Sequence, residues 1–174
     1  MKNALCFFDS RLSLAVGGLA ATMLIAVLLA LPGRVLAQPS TLLLGQHLPD
    51  VALKDQHDKP WRIELSTRLV MFSASRKASK ITQAVLATLP ADHMTHRDAL
   101  YLVDLSAMPG FITRNIALPA LQKLPYLMGV SLNEATLAAW PHQADAVTLI
   151  ELDRGLVKRI SYASTEAEVR AALE

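Results

Sequence analysis

The stretch Leu69–Leu89, LVMFSASRKASKITQAVLATL, limits the folds open to this chain more than any other. Leu69 to Phe72 reads as an apolar strand, and Ile81, Val85 and Leu89 recur every fourth residue, as on one face of a helix. Between them lies a short polar turn holding Ser75, Arg76, Lys77, Ser79 and Lys80, with no cysteine, histidine or carboxylate. A strand feeding a helix through a tight turn is a place where α/β folds put chemistry. Further on, Leu100–Leu105 is a nearly continuous apolar run, the pattern of a strand buried on both faces. Two strands separated by a helix imply a parallel, right-handed crossover, and so a sheet with helices packed on it.

The flanking segments extend this pattern. Val51–Leu53 and Trp61–Ile63, separated by the turn-rich KDQHDKP, read as the arms of a hairpin. Pro90 closes the first helix directly after Leu89. The segment after Pro109 places Phe111, Ile112 and Ile116 at helical spacing, with Pro119 restarting or kinking the run and Pro125 ending it. Tyr126–Val130 reads as another buried strand, and Ser131-Leu132-Asn133-Glu134 fits a capping box ahead of a short helix through Leu137 to Trp140. Val147–Leu152 and Leu156–Ile160 flank Asp153-Arg154-Gly155, a tight hairpin with glycine where a positive φ is needed. Ser164 or Thr165 then caps a last helix to Leu173, with Val169 and Leu173 inward and Glu166 and Glu168 suited to the helix dipole. Trp61, Trp140 and Phe111 are expected in the core or at its edge.

The chain opens with Lys2 and Arg11, an apolar run from Leu12 to Leu31, and Val35-Leu36-Ala37 before Gln38. That order is a secretory signal peptide, with cleavage expected after Ala37. About twenty apolar residues would also span a bilayer, so residues 12–31 retained as an anchor are the alternative. Either way residues 38–174 are expected to be exported, to the periplasm or an equivalent space, as one domain. Loss of residues 1–37 removes three of seventeen basic residues and one of fifteen acidic ones, leaving fourteen of each and no net charge. Neither that balance nor any Lys/Arg tract argues for nucleic acid. The one cysteine, Cys6, lies in the leader without a lipoprotein pattern, so the exported part can form no disulfide.

This order of hairpin, strand, helix, strand, helix, strand, hairpin and helix resembles a redoxin-type thioredoxin fold: a three-layer α/β domain with a central mixed sheet, helices on both faces and an N-terminal β-hairpin. The phrases GQHLPDVALKDQHDKP, Leu69-Val70-Met71-Phe72 and TLIELDRGLVKRI are similar to its opening, central strand and closing hairpin. More narrowly, Ala74–Lys80, Pro109–Arg114 and Ala139-Trp140 resemble the YtfJ-type exported family, which has no established activity. In a thioredoxin the loop after the central strand holds Cys-x-x-Cys, whose first thiol attacks as a thiolate. The resemblance puts Lys77 and Lys80 at those positions, and Val147 where the fold keeps its cis-proline. A non-proline cis bond costs about 2.5–4 kcal/mol, so a trans peptide is expected there. Thioredoxin-type redox chemistry has no residues to run on.

The remaining candidates are few. Unpaired amides and the dipole at the start of the helix favour an anion, and Ser75, Arg76, Lys77, Ser79 and Lys80 could add donors for a carboxylate, a phosphate or an acidic peptide. The plainer account is a serine cap among solvated charges. His93 and His96 beside Asp92 and Asp98 have too few fixed ligands for zinc, and His47, His57 and His142 stand alone in turns. No Gly-x-Ser-x-Gly, phosphate loop or dinucleotide fingerprint occurs, so no cofactor is expected. The expectation is a non-catalytic binding or interaction module, with membrane contact only if residues 12–31 stay attached. The alternative is an accessory redox or other enzyme that uses the loop 73–80 for a different chemistry.

Overall fold

The structure, a computed structural model, describes residues 42–174; the signal or anchor segment expected over residues 1–37 lies outside the described residues. Seven strands form one mixed sheet: β1 (Leu53–Asp55), β2 (Pro60–Trp61), β3 (Leu69–Ser73), β4 (Ala99–Asp104), β5 (Gly129–Ser131), β6 (Val147–Asp153) and β7 (Leu156–Ala163). Their spatial order is β2-β1-β5-β4-β3-β6-β7. The three central strands β3, β4 and β5 run parallel, with Leu69 opposite Ala99 and Leu102 opposite Gly129. The pairs β1–β2, β1–β5, β3–β6 and β6–β7 are antiparallel. Every residue of β3 is buried, as a central strand covered on both faces requires. The expected α/β architecture, with its N-terminal hairpin and central mixed sheet, is therefore present.

The helices are α1 (Arg76–Leu86), α2 (His93–His96), α3 (Gly110–Ile112), α4 (Leu118–Leu121), α5 (Glu134–Leu137) and α6 (Glu166–Leu173). Side chains alternate across β3 into two cores. Met71 and Tyr101 enter one with Ala78 and Val85 of α1, Val169 and Leu173 of α6, and Leu121 of α4. Val70 and Phe72 enter the other with Trp61, Leu137, Trp140 and Leu42. Phe72 and Trp140 meet edge to face, ring centroids 5.5 Å apart.

The last hairpin and helix follow the sequence closely. Arg154 and Gly155, both at positive φ (50° and 79°), make the two-residue turn between Asp153 and Leu156. Thr165 caps α6 in a capping box: its hydroxyl accepts from the Glu168 amide, and the Glu168 carboxylate accepts from the Ser164 and Thr165 amides. Those backbone bonds, Ser164 first, hold the Glu168 carboxyl below its usual pKa. The contribution is therefore present above the unfolded carboxylate pKa and is lost as pH falls through the folded one. Thr165→Ala should lower stability by about 1 kcal/mol. Glu168→Gln should be less stable than wild type at neutral pH and converge with it in urea titrations once the pH has fallen through the lowered folded pKa; a gap that stayed constant would refute the assignment.

Several local expectations are corrected. The first hairpin pairs Leu53 with Trp61 and Lys54 with Pro60, closer to its turn than the arms 51–53 and 61–63, because Asp55 Oδ1 accepts from the His57 and Lys59 amides and tightens the connection. Helix α1 ends at Leu86 and buries Ala78, Thr82, Val85 and Leu86; Ile81 and Leu89 are only partly buried. The strand near 126–130 is Gly129–Ser131, since Tyr126 and Met128 are held by Gln56 instead of by a neighbouring strand. Asn133, not Ser131, caps α5: its side chain accepts from the Ala135 amide, while Ser131 ends β5 and its hydroxyl donates to the Asn133 carbonyl. The helix after Pro109 is interrupted by a π-helical turn, Thr113–Ala117, ahead of Pro119, which has no amide to bond the Asn115 carbonyl. Phe111 is 74 % exposed and lies outside the core.

Candidate functional site

The sheet topology gathers four loops at one edge. Register pairs Ser73 with Val103 and Asp104 with Ser131, so the C-terminal ends of β3, β4 and β5 lie together. Thr148 opposite Phe72 places the start of β6 beside them. Arg76–Lys80, expected in a turn, form the start of α1, because the Ser75 side chain caps the helix there; that helix start, the segments after Asp104 and Ser131, and Asp145-Ala146 therefore share the edge at which open α/β sheets bind ligands.

Ser75 is the N-cap of α1, with extended backbone (φ −133°, ψ 158°) and its Oγ accepting the Ala78 amide at 3.1 Å. The Arg76 and Lys77 amides are among those that a helix start leaves without intrahelical partners. Arg76, Lys77 and Lys80 are exposed and Ser79 is half-buried. No acid lies in the first turn, so Arg76 and Lys77 sit where the helix dipole disfavours positive charge. Lys77 Nζ lies 3.8 Å from Asp145 Oδ2, both more than half exposed. Such a pair is worth about 0–1 kcal/mol. It does connect the turn to the loop before β6, where Val147 is fully buried and its peptide is trans.

Beneath the turn lies a polar layer that sequence reasoning missed. Ser73 and Thr82 are fully buried, their hydroxyls 3.3 Å apart, and Thr82 Oγ1 also donates to the Ala78 carbonyl. The Tyr101 hydroxyl comes close to Ser79, Ser73, Gln83 and Thr82, and burial pushes its pKa up against their opposing influence. None of these contacts reaches hydrogen-bonding geometry. The available signal was the spacing Ala78, Thr82, Val85, a second helical stripe beside Ile81, Val85 and Leu89. Tyr126 meets Tyr101 edge to face at 6.5 Å, and burial, then Tyr101 itself, raises its pKa as well.

The histidines do not converge. His93 Nε2 lies 3.2 Å from the Leu173 carbonyl, and His96 Nε2 is 3.1 Å from Asp92 Oδ2. His142 Nδ1 is 3.2 Å from the Trp140 carbonyl. Among the described residues no three His, Cys, Asp or Glu side chains are grouped to hold a metal ion. Two cavities, of about 350 and 340 Å³, are lined by residues such as His47, Arg62 and Glu64, and Arg68, Arg97 and Lys158; neither includes residues 74–80.

No protein-family profile and no curated protein sequence matches the chain. Solved structures do. A putative protein disulfide isomerase from Bacteroides thetaiotaomicron aligns over 76 % of this chain and 86 % of its own, with 13 % identity and a TM-score of 0.53. Peroxidoxin BcpB from Mycobacterium tuberculosis aligns over 76 % of this chain and 94 % of its own, with 15 % identity and a TM-score of 0.50. At these identities the likeness is one of fold, and the fold is thioredoxin-like.

Proposed function

We propose that the protein is a thiol-free, non-catalytic thioredoxin-fold binding module of the exported compartment, of the YtfJ type, that engages a carboxylate-rich peptide segment or a small anion at the start of α1. The observation that carries this reading is the first turn of α1, where two exposed cations sit at the positive end of the dipole, beside the amides that a helix start leaves without intrahelical partners. Lys77 and Lys80 occupy the former dithiol positions; their ammonium groups hold anions and cannot exchange disulfides. The resemblance of residues 74–80 and 109–114 to the YtfJ-type family supports the same reading.

The test is the double charge reversal Arg76→Glu/Lys77→Glu. Binding of a fluorescently labelled glutamate-rich peptide at low salt should weaken about tenfold or more. Stability should hold or rise, because acids replace bases at a helix N-terminus, where each is worth about 0.3–1 kcal/mol. Unchanged peptide binding in the folded variant would overturn the assignment, and loop-dependent turnover by the wild-type domain would replace it with an enzymatic one.

A further inference from the structure

We propose that the outer face of residues 110–121, carrying Phe111, Ile112 and Ile116, docks on an anionic lipid surface. These side chains are 74 %, 39 % and 61 % exposed. Their exposure is built into the backbone. Counting back from the inward Leu121 and Leu118 in steps of three and four places Arg114 and Phe111 on the inward face of a regular helix. The π turn Thr113–Ala117 adds one residue, as the Leu118 amide donates to the Thr113 carbonyl. Thr113 then becomes the buried position, its hydroxyl donating to the Pro109 and Met108 carbonyls, and Arg114 and Phe111 both turn outward.

The charge of this segment selects the occupant. Between Asp104 and Glu134 there is no acidic residue, only Arg114 and Lys123, and both are exposed. Five of the nine large apolar side chains exposed among the described residues lie in the same stretch. Apolar side chains interspersed with cations, and no acids, are the composition of a surface that lies in a headgroup layer. No described helix is long and apolar enough to cross a membrane, so the contact is interfacial.

Among the described residues both cores are formed between Leu42 and Leu173, and the exported domain from Gln38 onward is the protein to test. It should co-sediment with phosphatidylcholine vesicles containing about one third phosphatidylglycerol, and about fivefold or more less with phosphatidylcholine alone, given the worth of a basic residue at an anionic surface. Phe111→Ser/Ile116→Ser should lose about tenfold or more of this binding with an unchanged urea midpoint, since both side chains are exposed. Arg114→Glu should abolish the preference for anionic vesicles. Arg76→Glu/Lys77→Glu should pellet like wild type, which separates this face from the peptide site. Absence of wild-type binding, or equal binding by the Phe111/Ile116 variant, overturns the proposal. A wild-type dimer that the same variant dissolves overturns it too, by assigning the face to a second copy of the chain.

Discussion

Replacing Gln56 by alanine is expected to lower the stability of the domain by about 2–4 kcal/mol, read as a drop in urea midpoint at unchanged slope. The side chain is 2 % exposed and works as a piece of missing strand. Its Nε2 donates to the Tyr126 carbonyl at 2.8 Å, and its Oε1 accepts the Met128 amide at 3.0 Å, two backbone groups that precede β5. Its own carbonyl accepts from Gln122 Nε2 at 3.0 Å, just past the end of α4. Removing the amide strands two buried backbone groups, each costing about 1–3 kcal/mol when unsatisfied. Gln56→Leu separates the causes, because it restores volume without the bonds. It should be nearly as damaging as alanine, and recovery of wild-type stability would show that packing, not hydrogen bonding, sets the cost.

Gln56 also shows where sequence reasoning stops. In KDQHDKP it stands among turn formers, and nothing local distinguishes a buried glutamine from an exposed one, because its partners lie seventy residues away. The elements legible in the sequence are those whose signal is local and redundant: the wholly buried β3, the Arg154-Gly155 turn, and α6 with its cap at Thr165 and inward Val169 and Leu173. The errors have a common cause, a pattern read without the competing tertiary partner. Phe111, Ile112 and Ile116 have helical spacing, but Pro119 and the inward Leu118 and Leu121 decide which face turns in. Ser131 fits a capping box on paper, but its residue is taken up by β5, so Asn133 caps α5. Of the candidate site, a serine cap at Ser75 or Ser79 and the exposed cations were legible, and the structure gives the cap to Ser75. The pairing of Lys77 with Asp145 and the buried Ser73–Thr82 layer were not, since both depend on which strands lie side by side.

Gly129→Ala should cost about 2–3 kcal/mol, and the loss should vanish when Trp61 is made smaller. Trp61, on the edge strand β2, is 8 % exposed and reaches across β1 to lie against the backbone of β5. A Cβ at residue 129 would stand 2.6 Å from both Cε3 and Cζ3 of the indole and 2.9 Å from Cδ2. Contact within 3 Å of a rigid ring cannot be relieved by moving the tip of a flexible side chain, so either the indole leaves its site or the two outer strands shift away from β5. The requirement is for space, since the residue sits in an ordinary strand conformation and not at positive φ. In a Trp61→Leu background the same substitution meets no ring, and alanine's lower backbone entropy in a strand should make it neutral or stabilising by about 0.5–1 kcal/mol. The double-mutant cycle should therefore show a coupling of about 2 kcal/mol or more, within the range for residues in direct contact. Effects that add to within about 0.5 kcal/mol would mean that the indole and Gly129 do not constrain each other, and that the hairpin β1–β2 is held to the sheet by its backbone pairing with β5 alone.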